Sequence, residues 1–206
     1  MISTPKILRR VYKNAIWSVE QFPDQIYLSY DDGPHPETTI ELLELLDEYE
    51  AKAHFFLIGK NAERYPDLFS EYQKRGHLVG NHSYSHLNGL KASKTDYLKD
   101  IEQCNSIFQS PFFRPPYGRM NPSFCQEIEQ KYQIVMWDVL SMDFKLKSAK
   151  ACFQNIKKRT KGGSIILMHE NDKSKNIVLE LTKMTLDYCA EKKWKCSLLK
   201  SNKPLL

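Results

Sequence analysis

The chain alternates short apolar runs with longer segments in which apolar residues recur at helical spacing. The short runs predict seven strands, at residues 26–30, 53–58, 77–80, 112–113, 133–137, 164–168 and 194–198. The segments between them predict helices at residues 36–49, 62–75, 94–108, 122–131, 149–159 and 177–192. Strands that alternate with helices are typical of a parallel sheet with crossover helices. Seven short units favour an α/β fold that closes, or nearly closes, into a small barrel over an open sheet.

The first 25 residues precede this alternation. Apolar residues recur at helical spacing from Ile7 to Ile16, interrupted by basic residues, which predicts an amphipathic entry helix. No apolar core of signal-peptide length follows, so we expect neither a secretory signal nor a membrane span. We therefore divide the chain into an N-terminal amphipathic extension, residues 1–25, and one larger domain, residues 26–206.

The composition is that of a globular protein, with 41% hydrophobic and 27% charged residues. The net charge of +5 comes from 30 basic and 25 acidic residues, spread through the chain without long runs of like charge. Proteins that bind nucleic acids usually concentrate Lys and Arg on one face, so this distribution disfavours a nucleic-acid partner. It leaves open a weak, peripheral contact with a membrane surface.

The cysteines indicate a reducing compartment. The chain has five, an odd number without paired spacing and without a Cys-x-x-Cys motif. This usage argues against a disulfide framework and against a thiolate zinc site. Together with the missing secretory signal, it predicts a cytoplasmic location.

Two adjacent carboxylates, Asp31 and Asp32, follow the first predicted strand. Successive side chains of a strand point to opposite faces, so one carboxylate can bind a metal ion while the other reaches the substrate. Gly33 and Pro34 then turn the chain. The alternative is a solvated turn without chemistry.

Two histidines, His82 and His86, follow the third predicted strand at a spacing of i and i+4. On one face of a helical turn, both imidazoles can reach a single ion. With a carboxylate they form a two-histidine, one-carboxylate site that has open positions for water and substrate. The alternative is a pair of unrelated surface histidines.

Three further segments also follow predicted strands, the edge of a parallel α/β fold that carries the chemistry. In the segment 113–118, Arg114 can pair with a carboxylate. Two prolines in the same segment leave the amide of Tyr117 free to point outward. The alternative is a rigid structural loop. The segment 137–144 has two aspartates, and the segment 165–170 is a buried strand that ends in His169. A lone histidine at the end of a strand is also compatible with a structural role.

We interpret the remaining histidines as structural or surface residues: His35, His54 and His77.

Taken together, the five segments resemble the polysaccharide deacetylase family, classed as carbohydrate esterase family four. The first motif matches residues 29–34 with two conservative changes, the His-Ser/Thr-x-x-His motif matches residues 82–86, and Arg-x-Pro-Tyr matches residues 114–117. The resemblance covers most of the chain from residue 26 onward. It implies a distorted (β/α) barrel with fewer than eight complete units, in agreement with the count of about seven parallel strands. Residues 26–206 would then be the catalytic domain.

The resemblance also implies roles for individual residues. The metal ligands would be Asp32, His82 and His86. The catalytic residues would be the base Asp31, its partner Arg114, the oxyanion-stabilising amide of Tyr117, the acid His169 and its partner Asp143. The substrate-binding side chains would be Tyr117, Phe144 and Leu167.

The fourth motif departs from the family pattern. Family members usually have Asp-Trp where this chain has Asp143 and Phe144, and often an Asp where it has Leu140. Asp143 is the first candidate to orient His169, and Asp138 is the alternative. The missing Trp changes the packing of the sugar and acetyl groups rather than the chemistry.

The function implied is metal-dependent removal of N-acetyl groups from an N-acetylglucosamine-containing polysaccharide or oligosaccharide. The cofactor would be one divalent ion, with zinc expected and cobalt, nickel or iron(II) as alternatives. Two other functions stay open: deformylation or deacetylation of a lipid-linked amino sugar, or O-acetyl ester hydrolysis, on the same fold. A catalytically silent sugar-binding module is the alternative from another class.

Overall fold

The computed structural model describes residues 6–204, whose strands form one curled parallel sheet. The strands are β1 Gln25–Asp31, β2 Ala53–Leu57, β3 Leu78–Asn81, β4 Phe112–Phe113, β5 Gln133–Ile134, β6 Val139–Leu140, β7 Ile165–His169 and β8 Lys195–Cys196. Seven of them run in the order β5-β4-β3-β2-β1-β7-β6, and β8 pairs with the beginning of β1. The predicted distorted α/β barrel with about seven parallel strands is confirmed. The two-residue strand β6, inside the fourth motif, was not predicted.

Helices cover the outside of the sheet. They are α1 Lys6–Val11, α2 Thr39–Glu48, α3 Gly59–Arg64, α4 Pro66–Lys74, α5 Lys94–Ile107, α6 Cys125–Lys131, α7 Ala149–Arg159 and α8 Val178–Glu191. The single helix predicted at 62–75 is wrong, because Pro66 begins a second helix. A residue before proline disfavours helical angles, and Tyr65 accordingly has φ −127° and ψ 64°.

The strand β1 separates the outer core from the barrel interior. Ile26, Leu28 and Tyr30 pack in the large apolar cluster beneath the helices. Tyr27 packs in a separate inner cluster, and Asp31 lines a cleft at the end of the strand. This alternation is the ordinary period of a strand, and it directs the last carboxylate of β1 inward.

The N-terminal segment spans the gap between β5 and β7. Beyond Val11 the predicted amphipathic helix is wrong: Ile16 pairs with Val135, and Ser18 pairs with Ser164. The reason is burial, because the side chains of residues 12, 15 and 17 pack into the apolar cluster formed by α5, α6 and the neighbouring strands. The segment therefore forms part of the barrel wall. Across residues 6–204, no helix combines the length and the apolar character needed to cross a membrane.

We expect the substitution Tyr12→Phe to lower the free energy of unfolding by about 1–3 kcal/mol, the cost of leaving a buried polar group unpaired. The Tyr12 hydroxyl donates to the carbonyl of Met120 at 2.6 Å and accepts from its amide at 3.1 Å. Urea unfolding measures the change.

Tyr27→Phe is the matched control for this prediction. The Tyr27 ring is buried, but its hydroxyl donates to the half-buried side chain of Gln25, two residues away, at 2.8 Å. Its removal should change the unfolding free energy by no more than about 0.5 kcal/mol. Equal losses in the two variants would contradict a bridging role for Tyr12.

Candidate active site

The predicted site residues meet at the carboxyl end of the sheet, around a cleft of about 370 Å³. Asp31 and His169 end adjacent strands and are register partners. Eight of the predicted residues line the cleft: Asp31, Asp32, His82, His86, Tyr117, Phe144, Leu167 and His169. The other two, Arg114 and Asp143, lie behind the cleft and are fully buried.

Asp32, His82 and His86 form a group that can hold one metal ion. Their nearest ligand atoms all lie within 4.8 Å of one another. Oδ1 of Asp32 lies 3.6 Å from Nε2 of His82 and 3.3 Å from Nε2 of His86. This buried oxygen has no hydrogen-bond partner among residues 6–204. An unpartnered carboxylate oxygen that faces two imidazole nitrogens is the donor set of a two-histidine, one-carboxylate centre, so the residues fit the ion that the sequence implies.

The hydrogen bonds of the histidines prepare this group for a metal. Nδ1 of His82 lies 2.8 Å from the carbonyl oxygen of Arg114. A carbonyl can only accept, so Nδ1 carries the proton and Nε2 has a free lone pair. Burial, followed by the neighbouring His82, lowers the pKa of His86 to about 4. The His86 imidazole is therefore a neutral ligand at ordinary pH.

The loop that holds the histidines is not the helical turn that their spacing predicts. Ser83 and His86 have φ angles of 63° and 60°, in the left-handed region. The carbonyl of Ser83 accepts from the amide of Gly59 at 2.9 Å, which ties the loop to α3. The buried carboxylate of Asp100 accepts from the Ser85 hydroxyl at 2.7 Å, which ties the loop to α5. These contacts, rather than a helical ladder, bring the two imidazoles together.

Asp31 and Asp32 both face the cleft, although adjacent strand residues were expected to point in different directions. The reason is the backbone of Asp32, whose φ of 82° departs from strand geometry as β1 ends. Oδ2 of Asp31 lies 3.7 Å from Nε2 of His82, close to the metal-binding group.

Asp31 is held by a fully buried guanidinium. Nη1 of Arg114 donates to Oδ1 of Asp31 at 2.7 Å and to the hydroxyl of Ser29 at 3.0 Å. Its Nε and Nη2 donate to the carbonyls of Val135 and Met136. The guanidinium also lies over the ring of Phe56, 3.9 Å from the ring centre. The charge is thus paired and hydrogen-bonded, which a buried ion requires.

His169 is oriented by Asp143. Nδ1 of His169 lies 2.7 Å from Oδ1 of Asp143, and the His169 amide donates to Oδ2 at 2.6 Å. Burial acts to lower the pKa of His169, but the charge and hydrogen bond of Asp143, with smaller effects of Asp32 and Asp31, raise it to about 9. The edge of the Phe144 ring packs on the imidazole, with ring centres 5.2 Å apart.

Asp138, the alternative partner of His169, has another function in the fold. Its carboxylate accepts from the amide of Ile165 at 2.8 Å and from the hydroxyl of Ser164 at 2.9 Å. It therefore fixes the start of β7, at the opposite end of that strand from His169.

Two residues that follow His169, Glu170 and Asn171, were not predicted from the sequence to have a role near the cleft. The side-chain amide of Asn171 donates to Oδ2 of Asp32 at 2.6 Å. Burial raises the pKa of Glu170 to about 7, although it accepts hydrogen bonds from Thr39 and Tyr72. Neither residue stands in a motif that marks a site, and their partners are distant in sequence, so the chain offered no signal.

His54 and His77 are structural, as predicted. Nε2 of His54 accepts from the amide of Leu199 at 2.9 Å, and Nδ1 of His77 accepts from the amide of Ala53 at 3.3 Å. Burial lowers the pKa of both imidazoles to about 4. His35 lies near Glu37 and Asp172, but both carboxylates contact the ammonium of Lys175, which satisfies their charge.

Comparisons with known proteins find relatives of the chain. A family model described as polysaccharide deacetylase matches residues 19–135. A peptidoglycan-N-acetylglucosamine deacetylase of Bacillus cereus is 36% identical over 152 residues, which cover 70% of this chain and 55% of that protein. A second protein of that description and organism is 33% identical over 171 residues, covering 78% of this chain and 80% of its own length.

A solved structure is also similar over nearly its whole length. It is a peptidoglycan N-acetylglucosamine deacetylase in complex with 4-naphthalen-1-yl-N-oxidanyl-benzamide. The TM-score is 0.85 at 30% sequence identity, and the match covers 93% of each chain. This likeness agrees with the curled parallel sheet of the chain.

We expect His169 in the metal-free protein to titrate near pH 9, and the substitution Asp143→Asn to lower its pKa. Because the folded pKa lies above the ordinary 6.5, protonated His169 contributes stability that is complete below pH 6.5 and is lost as the pH rises through about 9. The chemical shift of the imidazole Cε1 proton, followed by NMR against pH, measures the pKa, and His169→Gln assigns the resonance.

Asp138→Asn is the matched control, because Asp138 is a partly buried aspartate that accepts hydrogen bonds from Ser164 and Ile165 instead of contacting His169. It should leave the titration of His169 unchanged. A pKa at or below 6.5 in the unsubstituted protein would contradict the role of Asp143.

Proposed function

The chain belongs to the polysaccharide deacetylase family, and we propose that it removes N-acetyl groups from an N-acetylglucosamine-containing polysaccharide or oligosaccharide. One observation carries the proposal: a single cleft contains a metal-binding group, a carboxylate held by Arg114 and a histidine held by Asp143. Amide hydrolysis needs these three functions, namely activation of water, acceptance of its proton and protonation of the departing amine.

Asp32, His82 and His86 would hold one divalent ion. When bound, such an ion supplies Lewis acidity, which lowers the pKa of water to about 7 and polarises a carbonyl. We propose zinc, although neutral imidazoles and a carboxylate also suit cobalt, nickel and iron(II).

Asp31 would act as the general base. Arg114 bonds to its Oδ1, which leaves Oδ2 directed toward the metal-binding group. The attacking water would give its proton to Oδ2, and the paired guanidinium would keep the carboxylate in place during the transfer.

The backbone amide of Tyr117 would stabilise the oxyanion. Tyr117 has a φ of 60° and lies between Pro116 and Gly118 at the edge of the cleft. A fixed amide dipole of this kind stabilises the charge that develops on the acetyl oxygen. The exposed rings of Tyr117 and Phe144, with Leu167 at the base of the cleft, would contact the sugar and its acetyl group.

His169 would act as the general acid. Its raised pKa keeps the imidazole protonated at neutral pH, and the bond from Nδ1 to Asp143 leaves the Nε2 proton available. That proton would pass to the nitrogen of the departing amino sugar. The complete set disfavours a silent sugar-binding module, in which one or more of these residues would be missing.

We expect the protein loaded with zinc to release acetate from N-acetylated chitooligosaccharides or from peptidoglycan fragments. Chelation should stop the release, and zinc or cobalt should restore it. Mass spectrometry of the glycan and an acetate assay measure the reaction, with an N-formylated or N-acetylated glycolipid as a comparison substrate. Full activity after verified removal of metal would contradict the proposal.

Asp31→Asn and Asp32→Asn should fail in different ways. Asp32→Asn replaces a charged metal ligand with a neutral one, so the affinity for zinc should fall and added zinc should restore part of the activity. Asp31→Asn keeps the ligands but removes the proton acceptor, so turnover should fall by about 10²–10⁴ with near-normal zinc binding. Zinc titration with a parallel acetate assay separates the two. Loss of zinc in Asp31→Asn alone would reverse their assigned roles.

A further inference from the structure

The turn that follows β7 contacts both the proposed acid and the proposed metal ligands. The hydroxyl of Ser174 donates to the carbonyl of His169 at 2.6 Å. The side-chain amide of Asn171 donates to Oδ2 of Asp32 at 2.6 Å. Asn171 is thus the member of this turn that reaches the metal-binding group.

The orientation of the Asn171 amide follows from its other contacts. Its Oδ1 accepts from the backbone amides of Lys173 at 2.8 Å and Ser174 at 3.2 Å. The backbone amide of Asn171 donates to the Ser174 hydroxyl at 3.2 Å. Because the oxygen faces two N–H donors, the nitrogen must face Asp32, where only a donor fits the carboxylate.

The two carboxylate oxygens of Asp32 therefore have different surroundings. Within the part of the chain that the structure describes, Oδ1 is buried without a hydrogen-bond partner, and it faces the imidazoles of His82 and His86. Oδ2 is occupied by the amide of Asn171. The carbonyl of Asp32 accepts separately from the side chain of Asn61 at 2.8 Å. One oxygen is available to an ion, and the other is not.

We propose that Asn171 is a positioning residue that makes Asp32 a one-oxygen metal ligand. A carboxylate can offer an ion one oxygen or two, and the second oxygen would take a position that water or the acetyl carbonyl needs. A charge-assisted hydrogen bond to Oδ2 competes with that second contact and fixes the angle of Oδ1. This inference rests on the proposed metal site.

The test compares Asn171→Leu with Ser174→Ala in the full chain. Leu has a similar volume but cannot donate to Asp32. Ser174→Ala disturbs the same turn and leaves the contact with Asp32 in place, so it reports a purely structural effect. Zinc affinity is measured by competition with a chelating dye, and the site is also loaded with cobalt(II) for visible absorption spectra. Thermal unfolding without metal measures the stability of each variant.

We expect Asn171→Leu to weaken zinc binding by about 10–100-fold, the usual cost of losing a partner behind a metal ligand. Its cobalt spectrum should change in intensity or position, because the coordination by Asp32 changes. Ser174→Ala should keep the zinc affinity and cobalt spectrum of the unsubstituted protein while unfolding at a lower temperature.

Unchanged zinc affinity and cobalt spectrum in Asn171→Leu would overturn the inference, as would equal changes in Ser174→Ala. Failure of the unsubstituted protein to bind zinc would instead overturn the metal site itself. If Asn171→Leu does not fold, Asn171→Ser carries the same expectation, because a serine hydroxyl can accept from the amides of the turn but is too short to reach Asp32.

Discussion

The buried ion pair of Arg114 and Asp31 is the interaction on which the other contacts of the cleft depend. Its guanidinium donates to the end of β1 and to the backbone that follows β5, and the carbonyl of Arg114 accepts from His82. One residue therefore connects the base, a metal ligand and the far edge of the sheet. Removing one partner of such a pair leaves an uncompensated buried charge, at a cost of about 3–5 kcal/mol.

Backbone strain is the second constraint on the cleft. Asp32, His86 and Tyr117 all have positive φ angles, a conformation that is costly for residues other than glycine. At each of these residues, the side chain or the backbone amide points in a direction that a regular strand or turn would not give it. Hydrogen bonds from Asn61 and Asn171 hold Asp32 in place, and Asp100 accepts from Ser85 in the loop that carries His86. The site is thus built from irregular backbone at the ends of regular strands.

The sequence predicted the parts of the molecule whose signal is local. The buried strands β1 and β7 and the helix α7 follow from apolar runs and spacing, and the predicted site residues meet because they follow adjacent strands. The two-residue strand β6 is too short to show a period. The contact of Asn171 with Asp32 joins residues 139 positions apart, and the left-handed angle of Asp32 depends on tertiary contacts. These features are properties of the assembled fold.

The N-terminal segment gives the barrel a particular order of assembly. Ile16 and Ser18 pair with Val135 and Ser164, so residues near the beginning of the chain complete the wall only when strands from its second half are present. Contacts of such long sequence separation form late, because the entropy of closing a large loop must be offset first. The wall is therefore completed by a seam between the segment ahead of β1 and residues beside β5 and β7. Until that seam forms, the outer edge of β5 remains open to pairing with another chain.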